Sequence, residues 1–150
     1  NMAVAADGAG FVVMASAAWV AAHGIDAVGF AGGVTLGGDP LRPGLAPVAA
    51  IDAVLTRAGL TVDDLTAAEI MEAFAVQAIA CQQGANIAPD IINTLGGALA
   101  RGHPVGASGA VLAVRLFHEL RIKGGTGLAA IAAAGGIGSA ILLDQNRENL

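Results

Sequence analysis

A single cysteine, Cys81, occurs in the 150 residues, so no intrachain disulfide can close and no cysteine cluster can hold zinc. That usage suits a reducing compartment, and Cys81, on an apolar helix stripe, reads as a small core residue. Charge is scarce as well. Only 13% of the residues are charged, against about 25% in an ordinary soluble domain, so much of the surface is expected to be buried by something else. The seven Lys and Arg are scattered from Arg42 to Arg147 in a chain of formal charge −5, which leaves no basic stripe for nucleic acid. The N-terminal residues lack a basic segment and carry Asp7, so no cleavable signal peptide is expected and the expected location is cytoplasmic. No pair of carboxylates has the spacing of metal ligands, and no metal is expected.

Residues 124–143 carry no charge, a length that could pass for a membrane span. Six glycines (124, 125, 127, 135, 136 and 138) divide that stretch into two short apolar runs, 128–134 and 139–143, which fit two buried strands joined by a tight turn better. Residues 8–25 split similarly at Ser16, into a strand through Phe11, Val12, Val13 and Met14 and a short Ala-rich helix around Trp19. The whole pattern predicts strand 9–15, helix 16–23, strand 26–32, a Gly/Pro loop 33–44, helix 46–58, strand 67–71 and helix 72–83. A loop with short extended pieces follows over 84–106, then helix 107–122 and strands 126–133 and 137–143. Such alternation argues for one α/β domain over 1–150, with a mostly parallel sheet covered by helices on both faces and a final strand pair that can be antiparallel. The loop 32–40 lacks both a Gly-Lys-Ser/Thr ending and G-x-G-x-x-G spacing into a helix, and reads as a connector or subunit contact rather than a phosphate cradle.

The most informative stretch is 96–109, where His103 stands among small residues in Gly102-His103-Pro104-Val105-Gly106-Ala107-Ser108-Gly109. Glycines permit close approach, Pro104 fixes φ directly after the imidazole, and a helix with the apolar stripe Ala113, Leu116, Phe117, Leu120 anchors the loop. On the residues alone this is either an active-site loop or the seat of a structural histidine with one donor and one acceptor partner. The other polar candidates read as bland. His23 ends a short helix, His118 lies on a solvated helix face, Glu72 favours a helix dipole, and Asp63 and Asp64 mark a turn.

The segment Asn93-Thr94-Leu95-Gly96-Gly97, followed by Gly102-His103-Pro104-Val105-Gly106, resembles the thiolase signature of Asn-x-x-Gly-Gly and Gly-His-Pro-x-Gly. Met71-Glu72-Ala73-Phe74 resembles the family's Asn-Glu-Ala-Phe block, and Gly135-Gly136-Ile137-Gly138 resembles its C-terminal glycine-rich strand turn. Three blocks in family order cover nearly the whole chain. The resemblance implies the C-terminal half of a thiolase, a mostly parallel, five-stranded α/β unit that packs against a homologous N-terminal half.

It also implies a chemistry in which an acyl group rides on a cysteine while a carbon–carbon bond beside a thioester is made or broken, by condensation or cleavage. Coenzyme A thioester is then the substrate, and no bound cofactor is expected. By the same resemblance His103 is the oxyanion-hole donor of this half, the backbone N–H of Ala134 is a second donor, and Gly102, Pro104, Gly106, Gly135 and Gly136 shape the loops. Two positions depart from the family. Its second cysteine, the general acid/base, falls on Ala132, and the asparagine that holds the oxyanion-hole water falls on Met71, whose thioether is at best a weak acceptor. The resemblance thus implies a small subunit or C-terminal half of a heteromeric acyl-CoA acyltransferase, inactive alone, whose partner is a thiolase N-terminal-type chain carrying the nucleophilic cysteine. Two other readings stand beside it: a catalytically silent thiolase-fold partner in an acyl-CoA-processing complex, and a piece of a longer polypeptide.

Overall fold

A computed structural model describes residues 1–145, so the cation Arg147 lies outside the described residues. The helices are α1 (Ala17–His23), α2 (Ala46–Ala58), α3 (Ala75–Gly84), α4 (Ala98–Arg101) and α5 (Ser108–Lys123), and the strands are β1 (Gly29–Gly37), β2 (Leu65–Ile70), β3 (Thr126–Ala133) and β4 (Ile137–Asp144). The sheet order is β1-β4-β3-β2, with β4 antiparallel to both neighbours and β3 parallel to β2. The α/β architecture holds, but the sheet has four strands and is mixed where five mostly parallel strands were expected. The difference lies in β4, which returns antiparallel, as was open to the final pair, but sits between β1 and β3 and so pairs antiparallel with both. Ala133 and Ile137 pair directly, and Gly135 and Gly136, both at φ +87, turn the chain within three residues, which forces β4 to return antiparallel.

Two other expectations change. The glycine-rich stretch predicted as a loop from 33 is strand as far as Gly37, because β4 offers its free edge to β1 from Asp144 to Ile137. The strand expected over 9–15 does not join the sheet: Phe11 and Val13 are 87% and 90% exposed. Its apolar residues have no surface to bury against among the described residues.

Side chains alternate across β3 and β4 with the period of two that strands impose. Leu128, Ala130, Ala140 and Leu142 pack with Ile51, Val54 and Leu55 of α2, whereas Ala129, Ile131, Ile141 and Leu143 face Leu112, Leu116 and Leu120 of α5. α2 has Pro47 in its first turn and ends on Gly59 in the left-handed region, the usual punctuation of a helix. Cys81 sits fully buried in the α2-side cluster, where its Sγ donates to the Gly44 carbonyl (2.9 Å) and burial pushes the thiol pKa up. It is the core residue expected. No helix among the described residues is long and apolar enough to cross a membrane.

The direction of α5 places the functional loop. A Cβ on Gly127, at the start of β3, would stand 2.6 Å from Leu116 and 3.1 Å from Leu120, whereas Gly109 and Leu112 lie over Ala129, Ala130 and Ile131. α5 therefore runs antiparallel to β3. Its N-terminus, with the loop that precedes it, sits at the C-terminal ends of the parallel pair β2 and β3, the end at which α/β sheets bind ligands.

Candidate active site

Three segments meet there. The first continues β2: Met71 N–H donates to Ala130 O (2.9 Å), and its side chain, 3% exposed, is buried in the apolar cluster with Ala98, Leu112 and Leu116. Glu72 follows, but α3 does not begin until Ala75, so Glu72 does not serve that helix as its sequence position suggests. Its Oε2 instead accepts the backbone N–H of Leu99 (3.0 Å) in α4, and its Oε1 accepts Asn93 Nδ2 (2.7 Å). Asn93 in turn accepts from Ile70 N–H and donates to Ile70 O, both at 2.9 Å. This pins the 93–99 loop to the end of β2. Gly97 lies against the Glu72 carboxylate, and a Cβ there would overlap it, so a side chain at 97 would have to push Glu72 off Asn93 and Leu99.

The second segment carries His103. Its backbone N–H donates to Val4 O (2.8 Å), while Ala3 N–H donates to Ala73 O (3.0 Å) and Ala75 N–H to Asn1 O (2.9 Å). Residues 1–6 thus strap the Glu72 segment to the His103 loop. Gly102 is required here for two reasons: its φ is +92, and a Cβ would stand 2.7 Å from that of Ala6. Pro104 packs beneath Gly8, where a Cβ would lie 2.8 Å from the proline ring. Gly106, expected to shape this loop, has open space where a Cβ would stand and no positive φ, so its backbone makes no demand for glycine. The His103 ring is half-buried, with Nδ1 2.7 Å from the Ser108 hydroxyl at the start of α5.

The third segment is the β3–β4 turn. Ala132 pairs with Gly138 near the end of β3 and is half-buried; Ala134 is exposed in the turn, next to Gly135 and Gly136. Both glycines have positive φ. The structure therefore brings the segments of Met71, His103, Ala132 and Ala134 to one end of the sheet. They offer an imidazole and turn peptides, with a methyl at 132 and a buried thioether at 71. Cys81 lies in the cluster on the opposite face of the sheet. His23 and His118 are exposed, as expected.

A charged pair behind the loop escaped the sequence reading. Glu69, next to the C-terminal residue of β2, is 1% exposed and accepts Arg115 Nε of α5 (2.9 Å), while Arg115 Nη2 donates to Gly96 O (2.8 Å). Burial raises the Glu69 pKa, partly offset by the Arg115 hydrogen bond and charge. Glu119, also buried, accepts Thr94 Oγ1 and Lys123 Nζ, both at 2.6 Å. A carboxylate inside an otherwise apolar strand was the available signal, but its partner lies 46 residues further along.

Helices on both faces of a mixed sheet, with glycine-framed loops carrying one histidine at the ends of its parallel pair, define an α/β domain of the thiolase type. Residues 27–145 match the thiolase C-terminal domain, and the chain belongs to that family. A Staphylococcus aureus relative whose name assigns it to the acetyl-CoA C-acetyltransferases is 47% identical over 113 residues, 75% of this chain and 29% of its own length. The mitochondrial 3-ketoacyl-CoA thiolase of Rattus norvegicus is 38% identical over 147 residues, 97% of this chain and 37% of the relative. Among solved structures, human mitochondrial 3-ketoacyl-CoA thiolase superposes with a TM-score of 0.83 at 36% identity, covering 87% of this chain and 33% of that one. The chain spans about a third of the length of these relatives.

Proposed function

We propose that this chain is the C-terminal half, or small subunit, of a heteromeric thiolase-like acyltransferase acting on coenzyme A thioesters. In this reading a thiolase N-terminal-type partner supplies the nucleophilic cysteine, and the chain is inactive alone. The observation that carries the reading is the His103 loop, held by Gly102, Pro104 and the 1–6 strap at the ligand-binding end of the sheet. Acyl transfer through a cysteine needs donors aimed at the oxygen that develops negative charge. His103 supplies one from its ring and Ala134 a second from its backbone N–H. The thioester is substrate, and the reaction needs no bound cofactor. A reducing, cytoplasmic setting is part of the same proposal, and rests on the chain's single cysteine.

The native assembly tests this. Affinity isolation of the chain is expected to recover a second polypeptide whose cysteine is blocked by iodoacetamide together with acyl-CoA turnover. Expressed alone, the chain is expected to oligomerise, because Phe11, Val13 and Met14 leave apolar surface uncovered. A monodisperse monomer in sedimentation velocity counts against the heteromer, and an intact mass well above that of 150 residues shows a longer polypeptide instead.

Met71 and Ala132 favour a second reading, the catalytically silent partner, since neither side chain can hold the water or carry the proton that the resemblance implies at those positions. Ala132→Cys separates the two. General acid/base catalysis is worth about 10²–10⁴, so restoring a thiol at the end of β3 is expected to raise acetoacetyl-CoA thiolysis by the assembled complex at least about tenfold. A complex with no gain at any pH and no basal acyl-CoA turnover is the silent one.

A further inference from the structure

We infer that Ser108 holds the neutral His103 ring with its proton on Nε2, so that the nitrogen turned away from Ser108 donates a hydrogen bond rather than accepting one. Ser108 is the first residue of α5 and 4% exposed. Its Oγ lies 2.7 Å from His103 Nδ1 and 2.9 Å from the Pro104 carbonyl oxygen. A hydroxyl has one proton to give, so the two contacts compete. Given to Pro104, it obliges Nδ1–H to donate to Oγ and leaves Nε2 bare. Given to Nδ1, it leaves the ring proton on Nε2.

Two observations decide between them. The Pro104 oxygen already accepts the backbone N–H groups of Ala107 (2.9 Å) and Ser108 (2.8 Å), one for each of its lone pairs. The Nδ1 contact is also the shorter of the two, at the distance characteristic of an O–H donor and at the short limit for an N–H donor. The serine proton therefore goes to the ring. Nε2–H then points its proton at whatever oxygen the site binds, and a neutral His103 serves as donor without first taking up a proton. Ser108 is a positioning residue for that donor. Its catalytic consequence rests on the acyltransferase reading above, but the tautomer itself does not.

The test uses the chain labelled with 15N-histidine, in the assembly in which it is isolated, at a pH about two units above the ordinary histidine value. Three histidines give three ring systems, and a His103→Gln variant identifies the one of interest. Long-range proton–nitrogen spectra are expected to show a protonated Nε2 and a hydrogen-bonded, unprotonated Nδ1. In Ser108→Ala the Nδ1 resonance is expected to move to its position in a ring without that bond. Turnover is expected to fall about tenfold, the worth of one lost hydrogen bond, with KM little changed. Ser108→Thr, which keeps the hydroxyl, is expected to retain both. A proton on Nδ1 in the unsubstituted protein, or an Nδ1 resonance indifferent to Ser108→Ala, overturns the inference. If the tautomer is as expected but turnover ignores Ser108→Ala, Ser108 is overturned as a positioning residue, whereas the acyltransferase role of His103 stands or falls on substitution of His103 itself.

Discussion

His103→Ala is expected to lower turnover of the assembled acyltransferase by about two orders of magnitude or more, the usual cost of removing one oxyanion donor, while melting temperature and assembly change little. The two effects separate because the loop does not depend on the ring. Its path is set by Gly102 in the left-handed region, by the His103 N–H bond to Val4 O and by Pro104, all of which the alanine variant keeps. The polar contact that the ring makes is with Ser108, at the loop's own edge. Asparagine at 103 is expected to recover part of the loss, since an amide N–H can still donate to an oxygen within its reach. Steady-state kinetics beside sedimentation and thermal melting read all three quantities. Activity that survives His103→Ala, or that falls only in proportion to lost assembly, supports the silent partner instead.

The parts legible in the sequence are those fixed by local pattern. Helix Ala46–Ala58 and strand Thr126–Ala133 fall at the expected bounds because Pro47, Gly59 and the paired glycines 124 and 125 punctuate them. Pairing was less legible, since it depends on what a strand meets. The glycines of 33–37 weaken strand propensity and read as a connector, yet they pair because β4 has a free edge. Phe11, Val12, Val13 and Met14 carry a strand pattern and find no partner strand among the described residues. At the site, the glycines and Pro104 around His103 announced the loop. Glu72 stood where a helix start was expected, and only the tertiary fold carries it to Leu99 of another helix. The strap of residues 1–6 was equally hidden, because backbone bonds such as Val4 to His103 leave no mark on side-chain identity.

Arg115→Ala is expected to cost about 3–5 kcal/mol of stability near neutral pH, because it strands a carboxylate that is buried in the protein. Glu69 is 1% exposed, Arg115 reaches its Oε2, and its Oε1 has no hydrogen-bond partner among the described residues. Burial already raises the Glu69 pKa, and the Arg115 hydrogen bond and charge, ahead of the charge of Arg101, oppose the rise. Without them the folded-state pKa climbs further above the unfolded value. A carboxyl group shifted upward binds its proton more tightly in the folded chain, so stability falls as pH rises from the unfolded value through the folded one. The deficit of Arg115→Ala should therefore be smallest in acid, where Glu69 is protonated in both states, and should grow towards neutrality. Glu69→Gln in the same background is expected to flatten that dependence, since the amide has no charge to strand. Gly96 O loses its Arg115 donor in the variant as well, so faster amide exchange is expected in the 94–99 segment that precedes His103. Urea titrations of the assembled protein at several pH values measure the deficit. A loss below about 1 kcal/mol would mean that water reaches Glu69 and solvates its charge, and a larger loss equal at every pH would place the effect in the missing Arg115 packing and its bond to Gly96 O instead.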